Sequence, residues 1–281
     1  MAVLINRGME KKDNYMIEKY FSEEVINRIV KTSQHLIMCE PPNNEPIKFG
    51  CGCILEYKNH LFLLTASHVT KETSEHPNLQ PCIELGRPPE FNNDVLGTCL
   101  FNVGSKNMCY LDEYKIPEEF KNKIISFKEN LDIAACILDE KFKNNTNMKP
   151  PYEKGWPNEK YTIVEGNRIY LNFEKDIAVP NEDKKYGLYG RIKYYTEGFK
   201  LNFRPALKLG LNFKGNFGRF CLFNTQEIVD IEEWEGCSGS PIFDNFGKLV
   251  AITSTVNNGD KAVFGFSIEY CKLILDIAID N

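Results

Sequence analysis

The reading of this chain turns on Glu235-Gly236-Cys237-Ser238-Gly239-Ser240-Pro241. A serine between two glycines, closely followed by proline, suits a sharp and exposed turn. Gly236 and Gly239 permit backbone angles that a side chain forbids, and they let a substrate carbonyl come close. The N–H groups of Gly236 and Ser238 can then point at one spot and hold a developing oxyanion. A hydroxyl alone is a weak nucleophile. It needs a base, and the base needs a group to orient it. The rest of the chain has to supply both.

Of the four histidines, His35 begins an apolar run and reads as structural. His60 lies beside a turn, and His76 lies in the polar run Glu75-His76-Pro77. His68 differs. It ends the apolar strand candidate that runs through Thr65-Ala66-Ser67-His68-Val69, a rigid place to mount a base. Asp132 stands at the head of a second apolar run, Leu131-Asp132-Ile133-Ala134-Ala135-Cys136-Ile137-Leu138. Taken alone, it reads as a carboxylate at a strand edge.

The 281 residues are enough for one large or two small domains, and their 42% hydrophobic and 26% charged contents are those of a soluble globular protein. A formal charge of −5 gives no basic field for nucleic acid or an anionic membrane. No run approaches the ~20 apolar residues of a membrane span. Ala2-Val3-Leu4-Ile5 is too short for the core of a signal peptide. Most of the ten cysteines sit in apolar runs, where a free thiol behaves as a small hydrophobe. Cys51-Gly52-Cys53 lacks zinc-ligand spacing. These features lead us to expect reduced thiols, a cytoplasmic location, no metal or other cofactor, and neither nucleic acid nor membrane as partner.

Ser22-Glu23-Glu24 followed by Val25, Ile26, Ile29 and Val30 predicts a capped amphipathic helix in an N-terminal extension, residues 1–31. The bland reading of that helix is a lid packed on the body. Short strands joined by tight turns follow from residue 35, as in an antiparallel sandwich or barrel. Residues 141–160, rich in Lys, Asn and Pro, read as a crossing between two domains. Strand-like segments resume at Arg168, and Glu269 to Asp280 reads as a terminal helix with Leu273, Ile274 and Ile277 on one face.

Thr65-Ala66-Ser67-His68-Val69 resembles the TAAH motif of trypsin-like, chymotrypsin-fold serine proteases. Leu131-Asp132-Ile133-Ala134 resembles their D-I-A motif, and Gly236-Cys237-Ser238-Gly239-Ser240-Pro241 their GDSGGP. The order His, Asp, Ser is that of the family, with spacings of 64 and 106 residues. Gly265-Phe266-Ser267-Ile268 resembles the GFAIP segment of HtrA-type bacterial proteases, whose PDZ domains are not expected here. The resemblance implies an all-β fold of two six-stranded antiparallel barrels. Residues 32–150 would carry His68 and Asp132, and residues 151–281 would carry Ser238 and a C-terminal helix. It implies an intracellular serine endopeptidase acting through an acyl-enzyme, with the N–H groups of Gly236 and Ser238 as oxyanion hole. The alternative is a catalytically silent binding or regulatory module on the same fold.

Where Cys237 stands, animal zymogen-derived members have an aspartate, so maturation by their clip is not expected. The two disulfides that secreted members place beside the histidine and the serine are not matched, since Val69 and Trp234 occupy those places. By the same alignment Glu232, with Glu233 next to it, falls where trypsin-like enzymes keep an acidic pocket base. A carboxylate there would favour Arg or Lys in the substrate; the other reading is a solvated acidic loop. Thr253, Ser254, Thr255 and Val256 would line the pocket wall, with Val256 narrowing the entrance toward small side chains. The expected partner is a protein or peptide substrate, with the activity restrained by the N-terminal segment, residues 9–31, or by a regulatory protein partner, as in a bacterial stress or defence response.

Overall fold

Ser22 caps the first helix, α1 (Glu23–Thr32), by accepting the Val25 N–H at 3.3 Å. Glu23 and Glu24 in its first turn and Lys31 in its last complement the helix dipole. The computed structural model describes residues 20–42, 45–85, 99–111, 131–139, 142, 168–195 and 201–280, with the backbone alone for 45, 99, 193–195 and 201–204. Ile26, Ile29 and Val30 of α1 are fully buried in one apolar cluster with Phe243, Leu249 and Ile274. Arg28 donates to the Gly247 carbonyl at 2.9 Å and pairs with Asp176 at 2.7 Å. The helix is therefore part of the body's core rather than a lid over it, and it runs directly into the first strand.

The first half is one eight-stranded sheet. Its strands are β1 (Ser33–Glu40), β2 (Glu45–Tyr57), β3 (His60–Thr65), β4 (Gln80–Leu85), β5 (Cys99–Asn102), β6 (Cys109–Tyr110), β7 (Ala134–Ile137) and β8 (Leu171–Asn172). The order is β5-β4-β1-β2-β3-β7-β6, with β8 beside β2. Among the described residues this sheet runs from β5 to β6 with no pairing between those two strands. Lys58 and Asn59, both at positive φ, make the two-residue turn of the β2–β3 hairpin. Leu171 and Asn172, expected in the second domain, pair in parallel with Leu55 and Glu56 of β2. Apart from Phe142, the crossing expected at 141–160 lies outside the described residues.

The second half is a closed six-stranded antiparallel barrel, as expected. It consists of β9 (Lys185–Tyr195), β10 (Leu201–Phe217), β11 (Phe220–Asn224), β12 (Pro241–Asp244), β13 (Leu249–Val256) and β14 (Ala262–Ser267). Tyr186, Leu188, Phe223, Ile242, Val250 and Val263 fill its interior. Helix α3 (Ile268–Asp280) follows β14 at once and packs back on β6 and β7 of the first half. Its buried Cys271, Ile274 and Leu275 join Phe62 and Ala135 of the first sheet in a shared cluster.

A buried polar network also ties the halves. The Glu84 carboxylate on β4 accepts from His35 Nδ1 of β1 at 2.6 Å and from Arg191 of β9 at 2.8 Å. Burial works to raise the Glu84 pKa, but the hydrogen bond and charge of His35, and then Arg191, hold it below the usual carboxylate range. Removing one partner of such a pair leaves a buried charge uncompensated. Arg191→Met is expected to lower stability by about 3 kcal/mol in urea denaturation, and Glu84→Met in the same chain to restore part of it. A single-variant loss below about 1 kcal/mol would show that the network does not join the halves.

Candidate active site

The β3–β7 register sets the first two site residues side by side. Thr65 lies opposite Ala134, so continuing the antiparallel pairing outward brings residue 67 level with residue 132. Ala66 is still extended; one helical turn, α2 (Ser67–Thr70), then presents His68. His68 Nδ1 donates to Asp132 Oδ2 at 2.7 Å, since an ionised carboxylate only accepts. The His68 backbone N–H and the Ser67 hydroxyl both donate to Asp132 Oδ1, at 3.0 and 2.8 Å. Burial works to raise the Asp132 pKa. The hydrogen bond and charge of His68, together with Ser254, outweigh it and hold the carboxyl down to about 2. The His68 ring is half-exposed, with Nε2 left for a partner.

The serine turn is pinned from both halves. Ser238 O accepts from the Cys51 N–H of β2 at 2.7 Å, and the Cys51 thiol donates to Gly236 O at 3.2 Å. Gly236 has φ 104° and Gly239 φ 83°. A Cβ at Gly236 would stand 2.2 Å from Arg191 O, and one at Gly239 would stand 1.9 Å from Cys51 O. Both positions therefore require glycine, by backbone angle and by space. The N–H groups of Gly236 and Ser238, expected as the oxyanion pair, donate to no acceptor among the described residues, whereas those of Cys237, Gly239 and Ser240 are all used within the fold.

Ser254 joins the two sets. Its hydroxyl donates to Asp132 Oδ2 at 2.5 Å, and its carbonyl accepts the Ser238 hydroxyl at 3.4 Å. A bulge between Thr253 and Thr255 leaves Ser254 out of the β13–β14 pairing and turns it toward the site. Expected only as pocket wall, Ser254 is also a partner of the acid; a bulge leaves no signal in hydrophobic pattern. His68, Asp132 and Ser238 line one cavity of about 1300 Å³. No hydrogen bond joins His68 to Ser238, whose hydroxyl is turned to Ser254.

Thr253, Ser254, Thr255 and Val256 line this cavity. Glu232 and Glu233 do not. They lie exposed on a 3₁₀ turn, Ile231–Glu233, held by the Asp230 side chain accepting the Glu232 N–H. Glu233 faces Lys208 at 3.5 Å. Their carboxylates keep their hydration there, which a buried pocket base would forfeit. The structure thus matches the solvated-loop reading. Cys237, next to the nucleophile position, is buried, and burial pushes its thiol up to about 12. Among the described residues no group of three His, Cys, Asp or Glu side chains is placed to hold a metal ion, and no helix is long and apolar enough to cross a membrane.

No family model matches the chain, and no curated protein matches it. Among solved structures, the serine endoprotease from Yersinia pestis is similar with a TM-score of 0.49 and 13% identity, over 93% of this chain and 68% of that one. A likeness of that degree carries neither fold nor function. The chain's own side-chain geometry has to carry the assignment.

Asp132 makes stability depend on pH in a fixed direction. A carboxyl depressed in the folded state adds stability above its unfolded pKa, and the gain is lost as pH falls through the folded value. Asp132→Asn is expected to remove roughly 2 kcal/mol at neutral pH and to flatten the stability profile between about pH 4 and pH 2. Urea midpoints measured across that window check both.

Proposed function

We propose that this chain is a serine endopeptidase on a chymotrypsin-like, two-barrel fold, with His68, Asp132 and Ser238 as its triad. One observation carries the reading. The Asp132 carboxylate holds His68 Nδ1 and, through the Ser254 hydroxyl, also holds the strand whose carbonyl receives the Ser238 hydroxyl. Base and nucleophile are thus referred to one acid. The N–H groups of Gly236 and Ser238, unpartnered among the described residues, stand beside that nucleophile.

In the reaction, the Ser238 hydroxyl rotates from Ser254 O to His68 Nε2 and attacks the scissile carbonyl carbon as its proton passes to the imidazole. Asp132 stabilises the imidazolium and fixes the tautomer. The Gly236 and Ser238 N–H groups take the carbonyl oxygen as it becomes an oxyanion; losing one such donor typically costs ~10²–10³ in rate. Collapse breaks the C–N bond, and the imidazolium proton leaves with the amine. Water, activated by His68, then hydrolyses the Ser238 ester.

A catalytically silent binding or regulatory module is the second reading, favoured by the Ser238 hydroxyl resting on Ser254 O instead of His68. Catalytic hydrogen bonds are commonly long before substrate binds, so this does not displace the first reading. Cysteine chemistry at Cys237 is opposed by its burial and raised pKa. The free thiols among the described residues support an intracellular setting. We assign restraint of the activity to a regulatory protein partner, as in a bacterial stress or defence response; the burial of Ile26, Ile29 and Val30 in the core supports this over a lid made by α1.

A fluorophosphonate probe tests the chemistry. Labelling is expected in the wild-type chain and in Cys237→Ala, and none in Ser238→Ala. Asp132→Asn is expected to slow peptide turnover about 10⁴-fold. An unlabelled wild-type chain would return the silent-module reading to first place.

A further inference from the structure

Two groups of residues from different halves line the cavity. From the first half come Ile47, Phe49 and Val69, with Lys48 and Lys71. From the barrel that carries Ser238 come Phe217, Phe220, Ile231, Trp234, Val256 and Phe264. Several of these are fixed from behind. Trp234 is 6% exposed, with Lys208 Nζ over its ring at 5.1 Å. Phe220 packs edge-on against Phe266, with ring centroids 5.6 Å apart. Others are left open: Phe217 is 72% and Ile231 51% exposed, so large apolar side chains stand in water beside an apolar cleft. Apolar side chains gathered around one cavity mark a place where something apolar docks.

We infer that this aromatic wall receives a large apolar side chain, Phe, Leu or Met, from the residue that contributes the scissile carbonyl. The inference rests on the protease reading and names the substrate class of the same site. The carbonyl of that residue sits at the Gly236 and Ser238 amides. Ile231, Trp234 and Val256 line the same cavity as those amides, and its side chain seats against them. Carboxylates available to a basic side chain are few. Glu232 and Glu233 are outside the cavity, and Glu235, which does line it, is exposed rather than buried. An Arg or Lys would lose hydration against aromatic rings without a buried anion, and would share the cavity with Lys48 and Lys71. The open volume also leaves no reason for a small side chain to be preferred.

Peptide amides that differ only in the residue before the scissile bond test this. Phe and Leu peptides are expected to exceed the Arg peptide by about 100-fold and the Ala peptide by about tenfold in kcat/KM. Ile231→Asp, at a half-exposed position, is expected to cut the Phe-to-Arg ratio about tenfold. Arg, Glu or Ala peptides turned over best by a chain that labels at Ser238 would overturn the wall assignment and leave the protease reading intact. Binding separates the two failures: Ser238→Ala, titrated calorimetrically with the same peptides, is expected to hold the Phe peptide about tenfold tighter than the Arg peptide. Equal binding overturns the inference whatever the turnover. Tighter Phe binding supports it even in a chain without labelling, where only the catalytic reading would fall.

Discussion

The hydrogen bond from the Cys51 N–H to Ser238 O, 2.7 Å long, is the constraint on which the site depends. Cys51 lies in β2 of the first sheet, and Ser238 lies in a turn of the second half's barrel. Gly239 seats against the Cys51 carbonyl so closely that any side chain there would overlap it. The two halves thus meet backbone to backbone at the nucleophile. A second clip, Ser254 to Asp132, lies within the same seam. A displacement of 1 Å can cost 10²-fold in rate, so a site divided between two halves needs a joint of this stiffness.

The surroundings of the joint differ in character. One part is the apolar cluster shared by α1, α3 and both sheets. Another is the buried His35, Glu84 and Arg191 network, polar and directional. The apolar cluster supplies most of the adhesion, because burial is non-directional and scales with area. The polar network contributes register: Arg191 is the residue whose carbonyl bounds Gly236, so its side-chain anchorage bears on where the turn can sit.

Much of this was legible in sequence, for reasons that particular residues show. His68 and Asp132 stand at the ends of apolar strands, and strand register alone brings their neighbours level. Gly236 and Gly239 were legible because their roles are steric. The position of Ser254 was not, because it depends on a one-residue bulge, and a shift of one residue in a strand exchanges its two faces. Glu232 and Glu233 were misleading by their count from Ser238, which fixes distance along a loop but not which way a 3₁₀ turn presents its side chains. The aromatic wall was hidden as well. Phe217, Phe220 and Phe264 lie in strands, where an aromatic facing a cleft and one filling a barrel read alike. The placing of β8 beside β2 is a parallel pairing of two residues, too short to have a pattern.

The free cysteines lead somewhere else. Eight of the nine described thiols are buried, and burial lifts Cys136 and Cys237 to about 12 and Cys221 to about 11. Only a thiolate reacts readily, so the native fold shelters these sulfurs twice, by access and by charge. Cys136 belongs to the first sheet and Cys221 to the barrel. An alkylating reagent added to the folded chain would therefore work as a stopwatch at two addresses, its separate rates telling which half breathes first.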